Sequence, residues 1–278
     1  MSDHTRRASL PKAHRPVVGR ARALGLPTRG TTNANRLRRV DRWIGATQVA
    51  RLRDAARPLV VDLGYGASAV TTLELVDRLA PEVAGLEVVG LEIDPARVEA
   101  VAGHRDPPRV DFRVGGFELA GLQPVLVRAF NVLRQYDEES AGRAWETMRG
   151  ALAPGGLVVE GTCDEWGRRA TWVALDEDGP LTLTLAARVS DLDRPSDLAE
   201  RLPKALIHHN VPGQPVHALL QAFDAAWASA AGLSTFGPRQ RWAAAVQTLA
   251  DDGWPLVGST RRARHGEVTV RWSAVAPV

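Results

Sequence analysis

Apolar residues follow no stable period over residues 1–30, where Pro11, Pro16, Pro27, three glycines and many arginines interrupt one another. From Thr31 the pattern is regular. Leu37, Val40, Trp43 and Ile44 recur at helical spacing, with Thr32 or Asn33 as a cap, so a helix is expected over residues 35–56, broken near Gly45 and ending before Pro58. Short apolar runs then alternate with amphipathic stretches. Strands are expected at 59–62, 86–93, 109–114, 125–130 and 157–160, and helices at 68–79, 95–102 and 137–152. Pro95 suits a first helical turn, and the acids from Asp137 suit the positive end of a helix dipole. This alternation implies a parallel sheet with helices on both faces. Past residue 160 the period changes. Residues 171–175 and 181–187 flank D-E-D-G-P as a hairpin, and 190–216 read as a loop rich in proline and histidine. Residues 216–231 and 239–249 read as amphipathic helices, and 267–275 as a closing strand. The connection over 188–262 is long for a plain loop and is expected to form a lid that selects substrate.

Charge changes this picture at one end. Residues 1–57 hold 14 Lys and Arg against 3 Asp and Glu, while the remainder holds 21 against 29. A basic arm therefore precedes an acidic body, and residues 1–57 are the place where nucleic acid could bind. Residues 1–30 are expected to be a disordered tail and 31–278 one folded domain. No apolar run approaches the ~20 residues of a membrane span. The charged N-terminus has no hydrophobic segment behind it, and Cys163 is the sole cysteine. A cytoplasmic protein without disulfides, metal or membrane contact is expected.

The candidate chemistry starts at V-V-D-L-G-Y-G-A-S-A-V, residues 60–70. An apolar strand ends in Asp62, turns through Gly64 and Gly66, and enters a helix. Gly64-x-Gly66-x-x-Ala69 fits a dinucleotide loop, and Asp62-x-Gly64-x-Gly66 fits a methyl-donor loop. In an open parallel sheet such a turn faces the ligand. Asp62 separates the two, because a carboxylate repels a pyrophosphate and welcomes an ammonium. Glu92 ends the second strand and can accept both hydroxyls of an unphosphorylated ribose with either cofactor. Pro154-Gly155-Gly156 forms a sharp turn before the fifth strand.

As a set, D-x-G-x-G, E-I-D-P and L-x-P-G-G, with the fourth-strand segment P-V-L-V-R-A-F-N-V-L-R-Q-Y-D-E-E-S, resemble class I S-adenosylmethionine-dependent methyltransferases over about residues 35–161. The remainder resembles only an uncharacterised bacterial branch. The resemblance implies S-adenosyl-L-methionine as cofactor. It implies that Asp62, Gly64, Tyr65 and Gly66 surround the methionine end, that Glu92 holds the ribose, and that Ile93, Gly116 and Phe117 border the adenine. Asn131 would lie near the sulfonium, where donor and acceptor meet, and is a candidate catalytic residue. The expected architecture is α/β: a Rossmann-like, doubly wound, mostly parallel seven-stranded sheet with helices on both faces and a helical lid insertion. The chain departs from the family at Ser68, at the missing acid after strand three unless Glu118 replaces it, and in lacking an N/D-P-P-Y motif.

Methyl transfer is an in-line displacement in which the protein supplies positioning and, for some acceptors, a base. His208 and His209, with His217, are the candidate bases. Asp164, Glu165, Arg168 and Arg169 follow strand five and could orient a substrate. Trp227, Trp242 and Trp254 are expected to build the core of the helical segment. The expected reaction is methyl transfer to a small-molecule acceptor. The alternatives are an RNA or protein methyltransferase recruited through the basic arm, and a cofactor-binding protein without turnover.

Overall fold

The computed structural model describes residues 32–258 and 260–278. The expected tail over 1–30 lies outside them. The strands are β1 (Leu59–Leu63), β2 (Glu87–Glu92), β3 (Val110–Val114), β4 (Leu126–Phe130), β5 (Leu157–Cys163), β6 (Arg169–Leu175), β7 (Pro180–Ala187) and β8 (Glu267–Arg271). They form one sheet in the order β3-β2-β1-β4-β5-β6-β7-β8. The sheet thus has eight strands rather than seven. Its first five strands are parallel, and β5 to β8 are joined by antiparallel pairings. β5 runs three residues beyond the expected 157–160 because Thr162 and Cys163 pair with Thr171 and Ala170 of the hairpin. The closing strand is shorter than 267–275, since Trp272–Ala274 turn as a 3₁₀ segment.

The expected first helix is two, α1 (Arg38–Thr47) and α2 (Val49–Asp54), divided at Gln48 rather than at Gly45. α3 (Val70–Leu79), α4 (Pro95–Ala100) and α5 (Glu138–Gly150) follow as the periodicity requires. The Asp94 side chain caps α4 by accepting from Ala96 N at 3.0 Å, and Asp137 caps α5 by accepting from Ser140 N at 2.6 Å. The expected loop over 190–216 contains a 3₁₀ segment (Pro195–Arg201) and a short helix α6 (Lys204–Ile207). α7 (Pro215–Ser229) and α8 (Pro238–Asp251) follow it.

Helices cover both faces of the sheet. On one, Val40, Trp43, Ile44, Leu75 and Leu79 pack over Val60, Val88 and Leu126. On the other, Ala144, Trp145 and Met148 of α5 share a core with Val61, Val127 and Val158. The segment 188–262 belongs to this second layer. Leu219, Phe223, Trp242 and Val246 cluster with Val173, Leu183 and Leu185. β6 is buried through nearly its whole length, so its second face needs a hydrophobic cover, and α7 and α8 provide it. These two helices roof the sheet, while Arg201, at the end of the 3₁₀ segment, reaches the cavity at the strand ends. Trp242 is fully buried with its ring 4.7 Å from Phe223 and 6.5 Å from Trp227, which makes these rings core.

Candidate functional site

Strand order reverses between β1 and β4. The connections from β1 to β3 run over one face, and the connection from β4 to β5 runs over the other. Crevices for ligands open beyond the strand ends at such points. A cavity of about 650 Å³ lies there. All of the expected cofactor-binding residues line it: Asp62, Gly64, Tyr65, Gly66, Glu92, Ile93, Gly116, Phe117 and Asn131.

The floor is the turn after β1. Gly64 has φ +73° and Gly66 φ +87°, a region other residues avoid. Space imposes the same choice: a Cβ on Gly64 would stand 2.6 Å from Val132 Cγ2, and one on Gly66 2.8 Å from Thr32 Oγ1. The turn is also strapped. Thr32 Oγ1 donates to Tyr65 O at 3.1 Å, while Asn33 Nδ2 and Arg36 Nε donate to the carbonyls of Glu165 and Asp164 at 3.1 and 3.2 Å. Residues 32–36 thereby tie the glycine turn to the β5–β6 turn across the cavity, and Thr32 and Arg36 line it.

Glu92 stands at the end of β2, buried, with Oε2 accepting from Gly66 N at 3.1 Å and Oε1 accepting from Ile93 N at 3.0 Å. Arg97 Nη1 lies 3.6 Å from Oε2. A carboxylate has about four acceptor positions, so two remain for ligand hydroxyls. Glu118 turns back to accept from Gly116 N at 2.7 Å and does not line the cavity, so it does not take the place of the missing acid. Phe117 meets Tyr136 edge-on at 5.5 Å, and burial followed by Glu92 pushes the Tyr136 phenol up.

Asp62 lines the cavity and is also tied into the fold. It is 2% exposed, and Arg128 grips both of its oxygens, with Nε to Oδ1 at 3.0 Å and Nη2 to Oδ2 at 2.7 Å. Thr72 Oγ1 adds a bond to Oδ2 at 2.7 Å. Arg128 also bonds Asp41 of α1 and, through Nη2, the Thr71 carbonyl at 2.9 Å. Burial pushes the Asp41 carboxyl up to about 6 against the pull of Arg128. Asp62 is therefore the anchor of an ion-paired network beneath the turn. One guanidinium is shared by two carboxylates, and Asp62 both lines the cavity and anchors the fold beneath it.

Asn131 is fixed in place by β5. It has φ +61°, and its Oδ1 accepts from Cys163 N at 2.9 Å while Nδ2 reaches Cys163 Sγ at 3.3 Å. It holds the β4 end against β5. Cys163 is buried, and burial pushes its thiol up, which suits a neutral packing group. His208 and His209 do not line the cavity. His209 Nε2 bonds Glu138 Oε1 at 2.7 Å at the start of α5, and His217 Nδ1 bonds Asn210 Oδ1 at 3.1 Å. The loop that carries them packs against α5 instead of folding over the strand ends. Of the other orienting candidates, Glu165 lines the cavity and Asp164, Arg168 and Arg169 do not. Sequence reasoning missed Thr32, Arg36 and Arg201, which line it together with Arg134. No group of three His, Cys, Asp or Glu placed to hold a metal occurs among the described residues, and no helix there is long and apolar enough to cross a membrane.

No family model and no curated protein matches the chain. Parts of it resemble solved structures. A variant of LepI in complex with SAH and a substrate analogue matches at 15% identity and TM-score 0.36, over 42% of this chain and 30% of that one. The glycopeptide N-methyltransferase MtfA matches at 17% and 0.34, over 44% and 53%. A TehB-like SAM-dependent methyltransferase from Corynebacterium glutamicum matches at 21% and 0.33, over 53% and 72%. The chain thus spans under a third of LepI and about half of MtfA. At these scores the functional reading rests on the site itself.

Proposed function

We propose that the chain is a class I methyltransferase that uses S-adenosyl-L-methionine and acts on a small-molecule acceptor. The observation that carries this reading is the asymmetry of the sheet about the cavity. A dinucleotide occupies two βαβαβ halves of a parallel sheet. Here β1 to β3 form one such half, but beyond β5 the chain turns into the antiparallel strands β6 to β8. One nucleoside has a complete seat and a second does not.

The residues present fit the donor. Glu92 would hold the ribose hydroxyls, Ile93, Gly116 and Phe117 would border the adenine, and Gly64, Gly66, Thr32 and Arg36 would enclose the methionine end. When bound, the donor supplies an electrophilic methyl group on a sulfonium. The protein's part is orientation and exclusion of water: the 32–36 strap closes one side of the cleft, and Asn131 fixes the β4 end where donor and acceptor meet.

Glu92→Gln tests the ribose assignment. It keeps the shape of the side chain and removes its charge, so affinity for S-adenosylhomocysteine by titration calorimetry is expected to fall about tenfold or more. Unchanged affinity would remove Glu92 from the site.

A further inference from the structure

The end of the cavity beyond β4 has a charge character that donor binding does not account for. Arg134, just after β4, and Arg201, at the end of the 3₁₀ segment, both line the cavity. They lie together: Arg134 Nη1 donates to the Glu200 carbonyl at 3.2 Å, and Arg201 Nε lies 3.4 Å from Glu200 Oε1. That carboxylate is shared with Arg169 of β6 at 3.1 Å. Arg134, Arg169 and Arg201 therefore gather around Glu200, two at its carboxylate and Arg134 at its main-chain carbonyl. Burial and then Arg201 push the Arg134 guanidinium below its ordinary value, with Glu200 pulling it back.

The other acids of the lining do not balance this pair. Asp62 is held by Arg128, and Glu92 stands at the end of β2 on the opposite side of β1. Glu165, exposed on the β5–β6 turn, is the remaining one. The backbone of Arg201 is fixed as well, since its carbonyl accepts from Thr162 and Thr171 hydroxyls on β5 and β6. This anchoring places Arg201 over β5 and β6, with Arg134 beside it just after β4, on the side of the cavity away from Glu92, where an acceptor and not the donor's nucleoside would lie. A guanidinium offers five donors in a planar fork. The bonds of this pair to Glu200 engage one nitrogen of each, which leaves donors to meet an oxyanion.

We infer that the methyl acceptor is a small acidic molecule whose carboxylate or phosphate is held by Arg134 and Arg201. The inference rests on the methyl-donor reading above. The pair anchors the acceptor by its oxyanion, and the reacting atom is then presented toward Asn131.

The test uses the full chain saturated with S-adenosylhomocysteine, titrated with citrate and, separately, with inorganic phosphate. Binding of either is expected, the tighter one naming the oxyanion. Arg134→Gln and Arg201→Gln should each weaken it about tenfold or more while affinity for S-adenosylhomocysteine stays within about twofold. With methyl-labelled donor, the part of a small-molecule cell extract retained on an anion exchanger at neutral pH should take up label. Neither anion binding, equal binding by the variants, or label absent from the retained fraction overturns the proposal while leaving the donor reading in place. Failure of S-adenosylhomocysteine itself to bind removes the donor reading, and this inference with it.

Discussion

Arg128→Met is expected to destabilise the protein by about 3–5 kcal/mol at pH 7, the usual effect of breaking a buried ion pair from one side. Arg128 is fully buried and joins four pieces of the fold: β4 that bears it, Asp62 of β1, Asp41 of α1 and the Thr71 carbonyl in the first turn of α3. Methionine fills much of the volume but leaves both carboxylates without a cation. Desolvation then drives them to take up protons, so part of the loss should return near pH 5. Arg128→Lys retains the charge but cannot bridge two carboxylates with a planar fork, so an intermediate loss is expected. Denaturant unfolding at both pH values measures these effects. A loss under about 1 kcal/mol at pH 7 would mean that the network contributes no more than a surface pair does.

The second large effect is one of pH. Glu160 on β5 is 1% exposed, its Oε2 accepts from Trp145 Nε1 at 3.3 Å, and Oε1 has no partner among the described residues. Burial pushes its carboxyl up to about 8, with the Trp145 bond opposing. Between its ordinary value and about 8 the folded protein keeps a proton that the unfolded chain has released. The unfolded state binds fewer protons there, so stability falls as pH rises across that window and levels off above it. Asp41 contributes a similar fall only below about 6. From pH 6 to pH 8 the Glu160 contribution approaches about 1.4 kcal/mol per unit. Glu160→Gln keeps an acceptor for Trp145 and does not titrate. Its stability relative to the parent is expected to climb by about 2–3 kcal/mol over that interval. A constant difference between the two proteins would show that Glu160 is already ionised when folded.

The parallel half of the fold was legible because its signals are local. β1 to β4 are short apolar runs, and α4 and α5 announce themselves by Asp94, Pro95 and Asp137. The glycine-turn side of the cavity was legible for the same reason, since Gly64, Gly66 and Glu92 sit at strand ends that period and turn residues mark. What the sequence concealed was non-local. Whether 188–262 covers a cleft or a sheet face depends on which surface β6 and β7 leave bare, and amphipathic helices look alike in either case. The fate of Asp62 depended on Arg128, 66 positions away. A signal existed: an arginine inside L-V-R-A-F, a run otherwise apolar, requires a buried counter-charge, and Asp41 on the apolar face of α1 asks for the same. His208 and His209 suggested chemistry by residue type alone, and their backbone instead follows the helical layer.

The most direct test of the account is ligand stabilisation of the whole chain. S-adenosylhomocysteine at about 100 times its dissociation constant should raise stability by about 2.7 kcal/mol, and NADH at the same concentration should leave the melting temperature unchanged. Stabilisation by NADH with none from S-adenosylhomocysteine would contradict a single-nucleoside seat at the β1–β4 reversal.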